Sequence, residues 1–409
     1  MRSVKLLISR VGKKPVLLGL FFAAILFLFL GRAAARPGQD PFSKHSVLGY
    51  TIIPISIPSS KNIATPQSTT DISAVANQTL PPKHVGLAAS SAPELQQLAQ
   101  VEQTSGGAVA SGMMIFTNMP DSTNSARSAA ADMYSELNEF AKFGLKPVVV
   151  MEPTNSQGVI NFASYKNGAY DPILNAYFQA LKSLGATDRT MGMWVYFPEA
   201  DLVEWGPVDV ADFAPNVTRS IQIQKQYFPT SQSSILLDAM SYPAGSTSYD
   251  DGSYVSLLPF VSGIPKGLVD SFGLQGFPWM PPANQKGDTN LNPSVFLNSS
   301  LAAEAAKQLG TSSIWLNTGT FAAMYTNNSA QTVSMSATQR QNILSGILTQ
   351  ATKLKSSGFS VTINLFGENK SNTSEATDWS YQTADAQAVF NSFVLQLGAN
   401  HIDLWLFEG

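Results

Sequence analysis

Eight short apolar runs, each separated from the next by a longer intervening stretch, constrain this chain more than any other feature. The runs are Val109–Thr117, Pro147–Met151, Met191–Phe197, Ile235–Met240, Leu268–Phe277, Ser313–Asn317, Phe359–Phe366 and Ile402–Phe407. Five of the stretches between them have helical character: Ser125–Phe143, Asp171–Leu184, Leu301–Leu309, Ala337–Ser356 and Ala384–Leu397. Gly144, Gly185, Gly310, Gly358 and Gly398 stand at or just past their ends, where a left-handed residue stops a helix. Strands alternating with helices imply a parallel sheet, and eight such units imply an α/β fold of the (β/α)₈ barrel type. His84–Ala88 with Pro93–Ser105 makes a ninth possible unit. Either that unit or the final strand therefore lies outside the barrel.

Composition removes whole classes of chemistry. The 409 residues contain no cysteine, which excludes disulfides, thiolate metal sites and a cysteine nucleophile. The three histidines, His45, His84 and His401, form no metal-ligand spacing, so neither a metal nor any other cofactor is expected. Residues 1–36 hold seven basic residues and no acidic one. The remainder carries 18 basic against 28 acidic residues, a net charge of −10, which argues against a nucleic-acid partner.

The basic N-terminus flanks the apolar run Val16–Gly31, five of its cations preceding that run. This pattern holds the N-terminus in the cytoplasm and exports the rest of the chain. Residues 1–36 read as a signal-anchor or transmembrane segment, with Ala33–Ala35 offering a cleavage site if the body is instead secreted. Residues 37–82 are a Pro/Ser/Thr-rich linker, interrupted by the strand-like Val47–Ile57. The barrel would occupy residues 83–409. N-x-S/T sequons occur at Asn77, Asn216, Asn298, Asn327, Asn369 and Asn372.

The strand ending in Y-F-P-E is followed by an acidic, Trp-containing loop, Ala200–Gly206. A carboxylate at the C-terminal tip of a barrel strand stands where catalytic groups gather, and glycoside cleavage needs two such groups. The strand-end carboxylates are Glu152, Glu199, Asp238, Glu368 and Glu408. Indole faces stack on sugar rings, so Trp205, Trp279 and Trp379, in polar surroundings, are candidate sugar platforms. Trp405 could serve either the core or a sugar, Trp194 and Trp315 read as core, and Tyr242 joins the substrate-binding candidates.

Several segments together resemble family 26 of the glycoside hydrolases, barrels of the β-mannanase and β-xylanase type. The opening H-V-G-L-A-A-S-S-A-P-E-L, the strand L-K-P-V-V-V-M-E-P, the helix N-G-A-Y-D-P, the block around Glu199 with Trp205-Gly206, and L-V-D-S-F-G-L-Q-G-F-P-W carry the likeness in order over residues 83–395. The resemblance implies that Glu199 is the acid/base; Glu152, read from its place at a strand end, would shape the pocket. It departs in three places. Pro198 replaces the family's His, Asp201 its Asn, and Asn317 falls where the nucleophile strand should place Glu. Starting the barrel at Val109 instead puts Glu368 after the seventh strand, where that clan keeps its nucleophile, and moves Glu199 to the third. The leading expectation is an exported hydrolase of β-linked polysaccharide using Glu199 and Glu368. The alternative is a degenerate barrel that binds glycans at the cell surface.

Overall fold

A computed structural model describes residues 101, 103–104, 110–201, 210–239, 257–278, 291–319, 322–326, 329–333, 336–365 and 384–407, all within the compact unit Leu80–Gly409. The expected segments 1–36 and 37–82, with Val47–Ile57, lie outside the described residues. Among the described residues no helix is long and apolar enough to cross a membrane.

Among the described residues the strands are β1 Ala110–Asn118, β2 Lys146–Glu152, β3 Thr154–Asn155, β4 Gly158–Val159, β5 Met193–Tyr196, β6 Gln232–Asp238, β7 Ser271–Gln275, β8 Ser313–Thr318, β9 Ala322–Thr326, β10 Ser329–Val333, β11 Ser360–Leu365 and β12 Asp403–Phe407. Eight close into one barrel in the order β1-β12-β11-β8-β7-β6-β5-β2, and every barrel pairing is parallel. These are the eight apolar runs of the sequence. Gly112 of β1 pairs with Trp405 of β12, so the circle closes without the 84–105 unit, and the barrel starts near Val109.

The helices are α1 Thr123–Lys142, α2 Phe162–Lys166, α3 Asp171–Leu184, α4 Asp188–Met191, α5 Val210–Tyr227, α6 Leu258–Ser262, α7 Pro293–Phe296, α8 Ser299–Leu309, α9 Ala337–Ser356 and α10 Ala384–Ala399. α1 begins with a reciprocal cap. The Ser122 hydroxyl accepts from the Ser125 N–H, and the Ser125 hydroxyl accepts from the Ser122 N–H. Its buried stripe is Ala126, Ala130, Met133, Leu137 and Phe140, the 4-3-4-3 spacing of one helix face. Gly185 and Gly310 end α3 and α8 in the left-handed conformation, as their positions in the sequence imply. Gly398 does not stop α10, which runs on to Ala399, and His401 takes the left-handed turn with φ 50°. The sequence reading missed α5, because Pro215 interrupts its pattern, and missed the hairpin β9–β10.

Alternate barrel residues point inward. Met114, Val148, Val150, Met193, Val195, Leu236, Trp315 and Trp405 form the interior cluster. Two glycines make room for the two indoles. A Cβ on Gly273 would lie 2.5 Å from Trp315 Cε2, and one on Gly112 would lie 2.8 Å from Trp405 Cδ1. Each indole N–H is satisfied, Trp315 donating to Ser234 Oγ at 2.9 Å and Trp405 to Ser111 Oγ at 3.0 Å. Trp194 packs edge-on to Tyr177 and Phe178 of α3, on the outer side of the sheet.

Candidate functional site

The apolar interior ends abruptly near the C-terminal ends of the strands. Two residues beyond Val150 stands Glu152, two beyond Leu236 stands Asp238, two beyond Gly273 stands Gln275, and two beyond Trp315 stands Asn317. Period-two alternation keeps these side chains on the inner face. Glu152, Asp238, Gln275 and Asn317 are respectively 3, 9, 3 and 0% exposed, so the polar layer is buried.

Glu199 and Asp201 join it from the turn after β5. That turn lies against β6. The Glu199 N–H donates to the Leu236 carbonyl at 2.9 Å, and the Asp201 carboxylate accepts the Asp238 N–H at 3.1 Å through both oxygens. The backbone is bent hard to do this. Phe197 and Glu199 are non-glycine residues in the left-handed region, with φ 51° and 57°. Such a conformation persists only where surrounding bonds over-determine it. Its result is to bring Glu199 and Asp201 beside Glu152 and Asp238.

Crowding and burial decide which forms these carboxyls take. Burial in the barrel, and then the negative charge of Glu199, push Glu152 from its ordinary 4.5 up to about 8. A hydrogen bond from Thr154, at 3.5 Å, opposes this weakly. Asp238 is held well above the ordinary carboxylate range by burial and by the charges of Asp201 and Glu199, and the Gln275 amide pulls the other way.

A chain of amides runs into this cluster from the far side. The Asn364 side-chain N–H donates to Asn317 Oδ1 at 2.6 Å, and Asn317 donates to Gln275 Oε1 at 2.6 Å. Gln275 Nε2 then donates to Glu199 Oε1 and, at 3.3 Å, to Asp238 Oδ1. The chain follows the sheet register, since Gln275 pairs with Asn317 and Asn317 with Asn364.

The structure therefore brings together Glu199, Glu152 and Asn317 of the residues singled out in the sequence, along with Asp238. Trp405 is 4% exposed and packs against Trp315, with the Lys146 ammonium 5.1 Å from its ring centre. Of the two roles open to it, the core is the one it fills, because its side chain lies in the apolar layer. Glu368, Glu408, Trp205, Trp279, Trp379 and Tyr242 lie outside the described residues. Asp201, Gln275 and Asn364 were missed as site residues. The signal for Gln275 and Asn364 was available, since each is a polar residue at an inward position of an otherwise apolar strand.

No protein-family model matches the chain, and no curated protein matches it by sequence. In structure it is similar to glycoside hydrolases. The endo-1,4-β-mannanase of Rhizomucor miehei is 10% identical over 78% of this chain and 94% of that one, with a TM-score of 0.46. The β-glucosidase of Thermotoga maritima is 11% identical over 76% of this chain and 87% of that one, with a TM-score of 0.43. The endo-β-1,4-mannanase of Thermotoga petrophila is 11% identical over 74% and 72%, with a TM-score of 0.41. The chain is itself an eight-stranded parallel barrel. Likeness at this level assigns no residue a role.

Proposed function

We propose that this barrel hydrolyses a β-linked polysaccharide at the C-terminal mouth of its strands, with Glu199 as the acid/base. The observation that carries the reading is the burial of four carboxyl groups, Glu152, Glu199, Asp201 and Asp238, at one rim of three adjacent strands. Proton transfer to a glycosidic oxygen needs a carboxyl environment that favours the protonated form, and burial among like charges has that effect on Glu152 and Asp238 of this cluster. The second carboxyl is Glu368, three residues past the end of β11. In the closed strand order β11 stands opposite β5, four places away in either direction. Export and an N-terminal membrane tether belong to the same proposal and rest on the basic-then-apolar pattern of residues 1–36.

One observation favours a second reading, a barrel that binds glycans without cleaving them. Asn317, three strands from Glu199, presents an amide where the family resemblance calls for the nucleophile. Glu199→Gln separates the two. Wild type and variant are assayed on mannans, xylans and β-glucans, with reducing ends and binding scored independently. The hydrolase reading expects turnover to fall roughly 10²–10⁴-fold with binding retained. Binding by wild type with no release of reducing ends on any of these glycans would establish the second reading.

A further inference from the structure

We infer that Asn364, Asn317 and Gln275 form a one-way amide chain that orients Glu199 and enables it to ionise, which makes Gln275 a positioning residue for the proposed acid/base. The inference rests on the proposed role of Glu199. An acid/base must release its proton as well as hold it. Glu199 is 5% exposed and lies beside Glu152 from β2, Asp201 from its own turn and Asp238 from β6. Burial and like charges both disfavour ionisation. From β7, β8 and β11 the cluster is approached by amides, and an N–H directed at a carboxylate favours its charged form.

The direction of the chain is what matters. A side-chain amide has a donor end and an acceptor end, and Gln275 would serve Glu199 poorly if it were turned round. Asn317 Nδ2 occupies the Gln275 oxygen, and the Gln275 nitrogen faces Glu199 and Asp238. Asn364 donates to Asn317 through Nδ2, which also reaches Met114 Sδ at 3.6 Å, and its Oδ1 is buried without a hydrogen-bond partner. All three amides are buried, Asn317 and Asn364 completely, so water does not compete for these bonds.

The experiment follows the Glu199 carboxyl directly in the full chain, by carbon NMR of side-chain-labelled glutamate, with Glu199→Gln assigning the resonance. Gln275→Met keeps the length of the side chain and removes the donor. Its Glu199 midpoint should rise by about one to two pH units, the worth of one charge-assisted hydrogen bond. Asn317→Asp removes the donor that holds the Gln275 oxygen, lets Gln275 reverse, and should raise the midpoint in the same direction. Where turnover is measurable, Gln275→Met should lower kcat with KM unchanged and move the alkaline limb of the pH profile upward. An unchanged midpoint in Gln275→Met would overturn the inference, and so would loss of the folded state in that variant, since either would make the chain a packing element. The NMR midpoint needs no turnover. A wild type that cleaves nothing but shows the shift would refute hydrolysis and leave the amide chain standing.

Discussion

Glu152→Gln should stabilise this protein progressively as pH rises above about 4.5, with the full effect reached above about 8. Burial and the charge of Glu199 lift the Glu152 carboxyl from 4.5 to about 8 in the folded state. In the unfolded chain it returns to the ordinary value. Between those limits the native state binds more protons than the unfolded state, so the contribution of this group to stability is full below pH 4.5 and lost as pH rises through about 8. At about 1.4 kcal/mol per pH unit, the separation amounts to a ceiling of about 5 kcal/mol at about pH 9. Gln mimics the neutral acid and carries no such penalty. Urea denaturation of wild type and variant at about pH 5 and about pH 9, on either side of the two values, tests this. The pair should be nearly equal at the acid end, and the variant should be more stable by a few kcal/mol at the alkaline end. Taking the difference between the two proteins cancels the titration of groups remote from Glu152. If the gap fails to widen by more than about 1 kcal/mol, comparable to an exposed charge, Glu152 is solvated and the buried carboxyl layer does not exist. The same denaturation pair on a Glu199→Gln background should show a smaller gap, because one of the two causes has been removed.

Gly273→Ala should lower stability by about 1–3 kcal/mol through overpacking, because its Cβ would meet the Trp315 indole at 2.5 Å and Leu236 Cδ1 at 2.9 Å; thermal melting that is unchanged would refute the close packing of that layer. Asn216 should stay unmodified in a host that glycosylates, since its side chain is fully buried and donates to the Phe162 carbonyl at 3.0 Å; a glycan found there by mass spectrometry of the folded protein would contradict the placement of α5. Deleting residues 1–82 should leave the cooperative thermal transition in place, because the barrel closes from Ala110 onward; its loss would show that the removed segment contributes to the core.

The fold was legible because strand and helix periods differ and the chain keeps them apart. Pro147–Met151 and Ile235–Met240 are too short and too uniformly apolar for an amphipathic helix, and Ala337–Ser356 is too long and polar for a buried strand. The barrel's starting strand was not legible, since two strand-helix units at opposite ends of the chain compete for one place, and only the pairing of β1 with β12 decides between them. α5 escaped because Pro215 sits within it, although nearby Phe213 and Val217 keep the helical spacing. In the site, Glu152 and Glu199 were legible as acids ending apolar runs. The amide chain was not, because Gln and Asn attract notice only when their inward register is known. The turn at Phe197–Asp201 was hidden for another reason: nothing in Y-F-P-E-A-D marks a left-handed Glu, and its conformation is held by β6, distant in sequence.

That turn and the carboxyl layer share a property that bears on function. Between barrel and helices, several buried polar groups are paired in ways that cost little: Tyr165 with Ser220 at 2.6 Å, Tyr196 with Gln224 at 2.9 Å, and Gln224 with Ser231 at 2.8 Å. At the C-terminal rim the protein does the opposite. It buries four acids together, keeps at least two of them far from their ordinary ionisation, and bends two non-glycine residues into a conformation that costs roughly 1–2 kcal/mol each. The layer directly beneath, with Val150, Val195 and Leu236 on the same three strands, shows what a barrel built for stability places there. Apolar residues one layer higher would be the more stable choice, so the gathering of acids at a single rim, the one toward which the strands' C-terminal ends point, is what the proposed hydrolysis would require of this site.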